Sequence, residues 1–256
     1  MKKITYIILF LTVLSCKGIA QEIRFEQQAS INQVYLKSQE SKNLLPMNEL
    51  NLETGYALYQ TDINISTENP KLTLENVRDY AVVFLDDKLQ GTLADQHKQL
   101  TLNARAGKHK LRIFVENIGR ITYGPEILDN SKGLFGSITL DENEIEDWMI
   151  TPLPVKNLEI SKLVFEQRKA SALPCLFKAE FSIPQPSAYY LDISGWGMGE
   201  VWMNGTYVGA YWEEEKQQSI QIPSEVLKTG QNEIVVFELK NLGQKNMKLS
   251  TQAIFR

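Results

Sequence analysis

The stretch Gly195-Trp-Gly-Met-Gly-Glu-Val-Trp-Met-Asn-Gly-Thr-Tyr-Val-Gly-Ala-Tyr-Trp212 holds three of the chain's four tryptophans and five of its glycines. Val201-Trp202-Met203 is a β-branched and aromatic run, Asn204-Gly205 is the pair that two-residue hairpin turns of the primed type prefer, and Tyr207-Val208 begins a return strand. Both turn positions of such a hairpin need positive φ, which Gly and Asn tolerate best. The stretch therefore predicts a glycine-rich hairpin with an aromatic face.

The same pattern stands earlier in the chain. Tyr80-Ala-Val-Val-Phe-Leu85 reads as a strand stopped by Asp86-Asp87, with Leu89-Gln-Gly91 starting its return. Downstream, Gln99-Leu-Thr-Leu102, Gly107 and Leu111 to Val115 are echoed by Ser219-Ile-Gln-Ile222, Gly230 and Ile234 to Phe237. Two copies of one hairpin-plus-strands unit, bounded by Gly, Asn, Asp and Pro, predict an all-β chain of two tandem jelly-roll sandwiches. The expected division is a signal segment at 1–20, a linker-like segment at 21–43, a first sandwich at 44–150 and a second at 151–256. Pro152-Leu-Pro154 is expected to link the sandwiches, because proline removes a ladder donor. Ile23, Phe25, Ile31, Val34, Tyr35 and Leu36 alternate weakly, as an added edge strand or a remnant of a preceding connection would, and the remnant is the expectation. One helical turn is expected at Ser224-Glu-Val-Leu-Lys228, capped by Ser224 and stopped by Gly230.

With 43% hydrophobic and 23% charged residues over 256 positions, the chain can bury two cores of ordinary size. A formal charge of -4 supplies no basic footprint, which argues against nucleic acid as a partner. Lys2-Lys3 precedes the apolar run Ile4 to Leu14, too short to span a bilayer and typical of an export signal. Val13-Leu14-Ser15-Cys16 fits lipidation at Cys16, whereas Gly18-Ile19-Ala20 before Gln21 fits ordinary signal cleavage. The first route tethers the protein to a membrane and the second leaves it periplasmic or extracellular. Cys175 then has no intrachain disulfide partner and is expected to be a small buried residue.

The hairpin stretch resembles the C-terminal region of glycoside hydrolase family 35 β-galactosidases, whose signature runs W-G-K-G-x-V-W-V-N-G-x-x-L-G-R-Y-W. Met198 and Ala210 replace the family's lysine and arginine, and Glu214-Glu215-Lys216-Gln217 replaces its approach to G-P-Q. Gly55 to Tyr59, Val77 to Ala81, Val115 to Gly124 and Asp129 to Gly133 are similar to the family's first β-domain, with Thr122 where asparagine is usual. The resemblance covers about Leu45 to Leu239 and implies galactose-binding-like sandwiches. It also implies that the catalytic glutamates belong to a (β/α)8 barrel of about 250 residues, for which 21–43 leaves no room. No hydrolytic activity of the chain's own is expected, and no cofactor.

Glycoside hydrolysis needs two carboxyl groups about 5 to 9.5 Å apart across a sugar ring. Glu116 and Asp129 lie in the family-like motifs, but the resemblance gives them structural roles, bonding turn backbone or pairing with Arg120 or Lys132. His97 and His109 stand in polar contexts with no nucleophile elbow, and two His with two Cys, scattered, make no zinc site. Sugar binding by rings points to Trp196, Trp202, Tyr207, Tyr211 and Trp212, against the competing expectation that alternation buries them. Arg120 and Tyr123, in a turn bounded by Gly119 and Gly124, are the remaining binding candidates. The expected function is an exported, non-catalytic, carbohydrate-associated module that holds a galactose-containing glycan. The alternative is the non-catalytic part of a β-galactosidase whose barrel is a separate chain. Membrane contact is expected only through a lipid at Cys16.

Overall fold

A computed structural model of the chain describes residues 21–256, with the backbone alone at 125 and 126. The expected signal run, Cys16 and Ala20 lie outside the described residues. The chain opens with β1 (Gln21–Arg24), β2 (Gln27–Ser30) and β3 (Gln39–Ser41). Then come β4 (Gly55–Ile65), β5 (Lys71–Arg78), β6 (Tyr80–Leu85), β7 (Lys88–Ala94), β8 (Gln99–Thr101), β9 (Gly107–Asn117), β10 (Gly133–Leu140), β11 (Asn143–Glu144) and β12 (Trp148–Leu153). The remainder are β13 (Glu166–Gln167), β14 (Cys175–Ile183), β15 (Tyr189–Asp192), β16 (Met198–Met203), β17 (Thr206–Trp212), β18 (Ser219–Ile222), β19 (Gly230–Glu238) and β20 (Asn246–Ser250).

These strands make two antiparallel sandwiches. In the first, the six-stranded sheet β3-β12-β4-β9-β6-β7 covers the four-stranded sheet β11-β10-β5-β8. In the second, β13-β2-β14-β19-β16-β17 covers β1-β20-β15-β18. Tyr59, Val83, Ile113 and Trp148 lie in the first core, and Phe177, Trp196, Val201 and Val236 in the second. A third cluster joins Tyr56, Val82, Phe84 and Phe114 of the first large sheet to Leu176, Trp202, Val235 and Phe237 of the second. The two large sheets therefore pack face to face, giving four layers in all.

This stacking accounts for the sequence pattern. A strand buried on one face alternates, as β5 does, whereas β6 and β16 are buried at every position because sheets cover both their faces. The internal repeat is one of topology as well as sequence: β4, β5, β6, β7, β8, β9 and β10 correspond in sheet position to β14, β15, β16, β17, β18, β19 and β20. Both hairpins carry a register shift at the same place, between Val83 and Phe84 and between Val201 and Trp202. Aligning those shifts places Ala81 on Gly199, Val82 on Glu200 and Val115 on Glu238.

Three expectations are corrected. Residues 21–43 are not a linker: β1 pairs with β20, β2 lies between β13 and β14, and β3 pairs with β12. The alternation looked weak because the chain crosses from one sheet to the other between Arg24 and Gln27, which exchanges its inward and outward faces. Pro152 does not link the sandwiches but lies in β12 opposite Ala57. Its missing N–H falls beyond the last residue paired with β3, Ile150, where no ladder donor is required. The turn at Ser224–Val226 is a 3-10 turn preceded by Pro223, without a side-chain cap from Ser224.

Candidate functional site

The hairpin turn has the expected geometry, with φ of 51° at Asn204 and 81° at Gly205. Asn204 also fixes the turn to its neighbours: its Nδ2 donates to the Val226 carbonyl at 2.8 Å, and its Oδ1 accepts the Glu233 N–H at 3.0 Å. At Gly199 a Cβ would stand 1.8 Å from the Phe237 carbonyl oxygen, so no other residue fits between β16 and β19. Just before it, the N–H groups of Gly197 and Met198 donate to the Glu238 carboxylate at 3.1 Å each. Lys240 N–H adds a third bond at 3.0 Å and Tyr211 O–H a fourth at 2.9 Å. The glycines of the signature thus let backbone close around a buried glutamate.

That packing withdraws most of the expected sugar platform. Trp196 and Trp202 are 1% exposed and Tyr211 2%, so none can stack on a pyranose. Trp196 lies between Phe25 and Phe177 in the second core, while its indole N–H donates to the Asn246 carbonyl. Trp202 faces the joint between the large sheets, and half-buried Trp212 meets Tyr80 of the other sandwich edge-on at 5.6 Å. Trp202 lies in β16, which sheets cover on both faces, while Trp196 and Tyr211 are enclosed in the second core. Tyr207 is 41% exposed, but its hydroxyl is committed to Glu200.

Arg120 and Tyr123 sit on the surface between β9 and β10, remote in environment from the buried tryptophans. The same turn exposes Ile118, Tyr123 at 85% and Leu128 at 94%. The expected ion pairs differ from those formed. Asp129 pairs with Arg78 at 3.3 Å, and Lys132, 2% exposed, pairs with Asp79 at 2.7 Å. Neither Arg120 nor Lys132 pairs with Glu116.

Glu116 instead joins a group that sequence reasoning missed. From β4, Tyr56 places its hydroxyl 2.9 Å from Glu200 Oε1 and 3.3 Å from Glu116 Oε1. Tyr207 O–H donates to the other oxygen of Glu200 at 2.6 Å, and Lys156 Nζ stands 3.6 Å from that carboxylate. Burial first, and then the Glu200 charge, push the Glu116 carboxyl up to about 7; burial also raises Glu200. Tyr56 has one proton to give, and Glu200 is its closer acceptor. The 3.3 Å contact is then best satisfied by a protonated Glu116 donating to the phenol oxygen. Glu116 Oε2 has no hydrogen-bond partner among the described residues. A signal was present in the sequence: Glu200 is a charge inside an apolar run, which a buried strand accepts only with partners.

Two stacked jelly-roll sandwiches with a sealed carboxylate pair between them define an all-β, galactose-binding-like class of protein. A family model for "Beta-galactosidase, first all-beta domain" matches residues 45–154, and one for "Beta-galactosidase, galactose-binding domain" matches 174–232. The chain is 32% identical over 179 residues to a β-galactosidase of Xanthomonas manihotis, covering 69% of this chain and 29% of that protein. It is 30% identical over 216 residues to β-galactosidase 1 of Dictyostelium discoideum, covering 76% and 32%. With human β-galactosidase it shares 32% identity over 227 residues, covering 78% and 33%. The chain corresponds to the C-terminal β-domains of the family 35 β-galactosidases. It spans about a third of the length of these relatives.

Proposed function

We propose that the chain is a non-catalytic, carbohydrate-associated module that holds galactose-containing glycans. The observation that carries this reading is the closure of the buried Glu116–Glu200 pair around the Tyr56 hydroxyl. Glycoside hydrolysis needs a sugar ring between two carboxyl groups. Between Glu116 and Glu200, 2% and 0% exposed, stands the Tyr56 hydroxyl, bonded to both. A phenol in that place leaves no room for substrate. Affinity electrophoresis on galactose-containing polysaccharides tests the binding half: retarded migration supports it, and unretarded migration on all of them contradicts it.

A second reading is supported by the connection between β9 and β10, which exposes the large apolar side chains Ile118, Tyr123 and Leu128. Here the module is the companion of a separate barrel chain, and that connection is the docking face. Co-expression with a barrel-only chain tests it: hydrolysis that depends on both chains and falls with Tyr123→Ala supports docking, whereas activity indifferent to this chain rejects it. Both readings place the protein outside the cytoplasm, on the strength of Lys2-Lys3 and the apolar run after them. Mass spectrometry of the mature N-terminus distinguishes a lipidated Cys16 from a free Gln21, and a retained Met1 contradicts export.

A further inference from the structure

A cleft of about 660 Å³ lies where β1 crosses towards β2 and is lined by Arg24, Arg168, Lys169 and Lys245 together with Glu26 and Glu166. Both carboxylates are already engaged, Glu26 with Arg24 at 3.1 Å and Glu166 with Lys169 at 2.9 Å. Arg168 and Lys245 form no ion pair among the described residues, so the cleft keeps positive charge in a chain whose formal balance is -4. All of these residues fall outside the segment 174–232 matched by the galactose-binding model.

Arg168 is held ready rather than dispersed in solvent. Its backbone N–H donates to the Glu26 carbonyl at 2.8 Å, and its guanidinium carbon lies 3.9 Å from the centre of the Phe177 ring. Phe177 is fully buried against Trp196, so the guanidinium rests on the second core. The guanidinium Nη1 is sealed from solvent with no acceptor, and neither Nε nor Nη2 donates among the described residues. The carboxylate whose field it feels, Glu238, is taken up by Gly197, Met198, Lys240 and Tyr211. A stacked, pre-oriented guanidinium with free donors suits a planar or tetrahedral oxyanion. A cleft of this size exceeds what a bare ion needs and falls in the range of small-ligand sites, about 300–1,000 Å³.

We propose that this cleft binds an acidic sugar residue, its carboxylate or sulfate on Arg168 and Lys245. The inference rests on the carbohydrate-associated reading and gives that reading a ligand class. Calorimetric titration of the full chain with galacturonic acid, galactose 6-sulfate, galactose and sodium sulfate tests it and separates the two oxyanions. The expected result is at least tenfold tighter binding of one or both acidic sugars than of galactose, about 1.4 kcal/mol. Arg168→Gln should abolish that preference. Lys245→Ala, at an exposed position where folding is not at risk, should weaken acidic-sugar binding severalfold. Acidic sugars no tighter than galactose, or an unaltered preference in Lys245→Ala, would overturn the proposal. So would sodium sulfate binding as tightly as the sugars, which would mark an adventitious ion only. Retention on neutral galactan without an acidic preference would sink this inference alone, and no retention on any glycan would sink the module reading with it.

Discussion

The hairpins Tyr80–Ala94 and Met198–Trp212 are one piece of sheet built twice, with the same neighbours and the same register shift, yet only the second holds charge in its interior. Where the first repeat has Ala81, Val82 and Val115, the second has Gly199, Glu200 and Glu238. The first repeat is stabilised by apolar packing alone at these positions. The second holds its glutamates with specific donors, and the close approach of backbone at Gly199 belongs to that arrangement. Similar topology therefore conceals unlike tolerance to mutation, and substitutions exchanged between the repeats expose it.

The largest effect is expected from Gly199→Ala. Its Cβ would collide with the Phe237 carbonyl at 1.8 Å, a backbone atom that cannot step aside, so the loss should reach about 4 kcal/mol or more. The reciprocal change, Ala81→Gly, should cost about 1–2 kcal/mol through backbone entropy and one lost methyl contact. Thermal unfolding of both variants checks the asymmetry, and equal losses would show that the repeats share one packing rule. Glu238→Ala comes next, because it strands the N–H groups of Gly197, Met198 and Lys240 in the interior, at a cost of about 3–5 kcal/mol. Val115→Ala, at the corresponding site, should cost less, about 1–3 kcal/mol, by leaving only a small cavity.

A third comparison uses pH. Glutamate in the unfolded chain titrates near 4.5, whereas burial pushes Glu116 up to about 7. The folded state therefore holds this proton more tightly; the stabilisation is complete below about 4.5 and is lost as pH rises through about 7. Glu116→Gln removes that proton, so the stability difference between wild type and variant should shift against the wild type by about 1.4 kcal/mol per unit of pKa displacement across this window. Denaturant titrations at pH 4.5, 6 and 8 measure it, and parallel curves would mean Glu116 is ionised throughout. Smallest of all, Tyr207→Phe removes one bond to Glu200 from a half-exposed ring and should cost about 1 kcal/mol.

Much of this was legible beforehand because it rests on local chemistry. Asn204-Gly205 dictated the turn, and the echo of Tyr80–Leu85 in Val201–Met203 predicted the repeated sandwich. Less could be read where the cause was not local. Ile23 lies in a strand that the sequence shows only weakly because the chain changes sheets within a few residues. Burial of Trp196, Trp202 and Tyr211 was the favoured expectation and holds, but nothing in their sequence reveals that a second large sheet covers the first. Glu116 was noticed for its motif, but its partner Glu200 lies in the other repeat, and only the face-to-face packing of the two large sheets brings them to one tyrosine. The Arg168 cleft likewise gathers residues from both ends of the second sandwich's chain segment.

The central claim is that the sealed pair around Tyr56 does no glycosidic chemistry. Assay of the purified full chain on a chromogenic β-galactoside tests it most directly: the account predicts no turnover above buffer, in wild type and in Glu116→Gln and Glu200→Gln alike. Turnover that survives rigorous purification and disappears in either variant would contradict it.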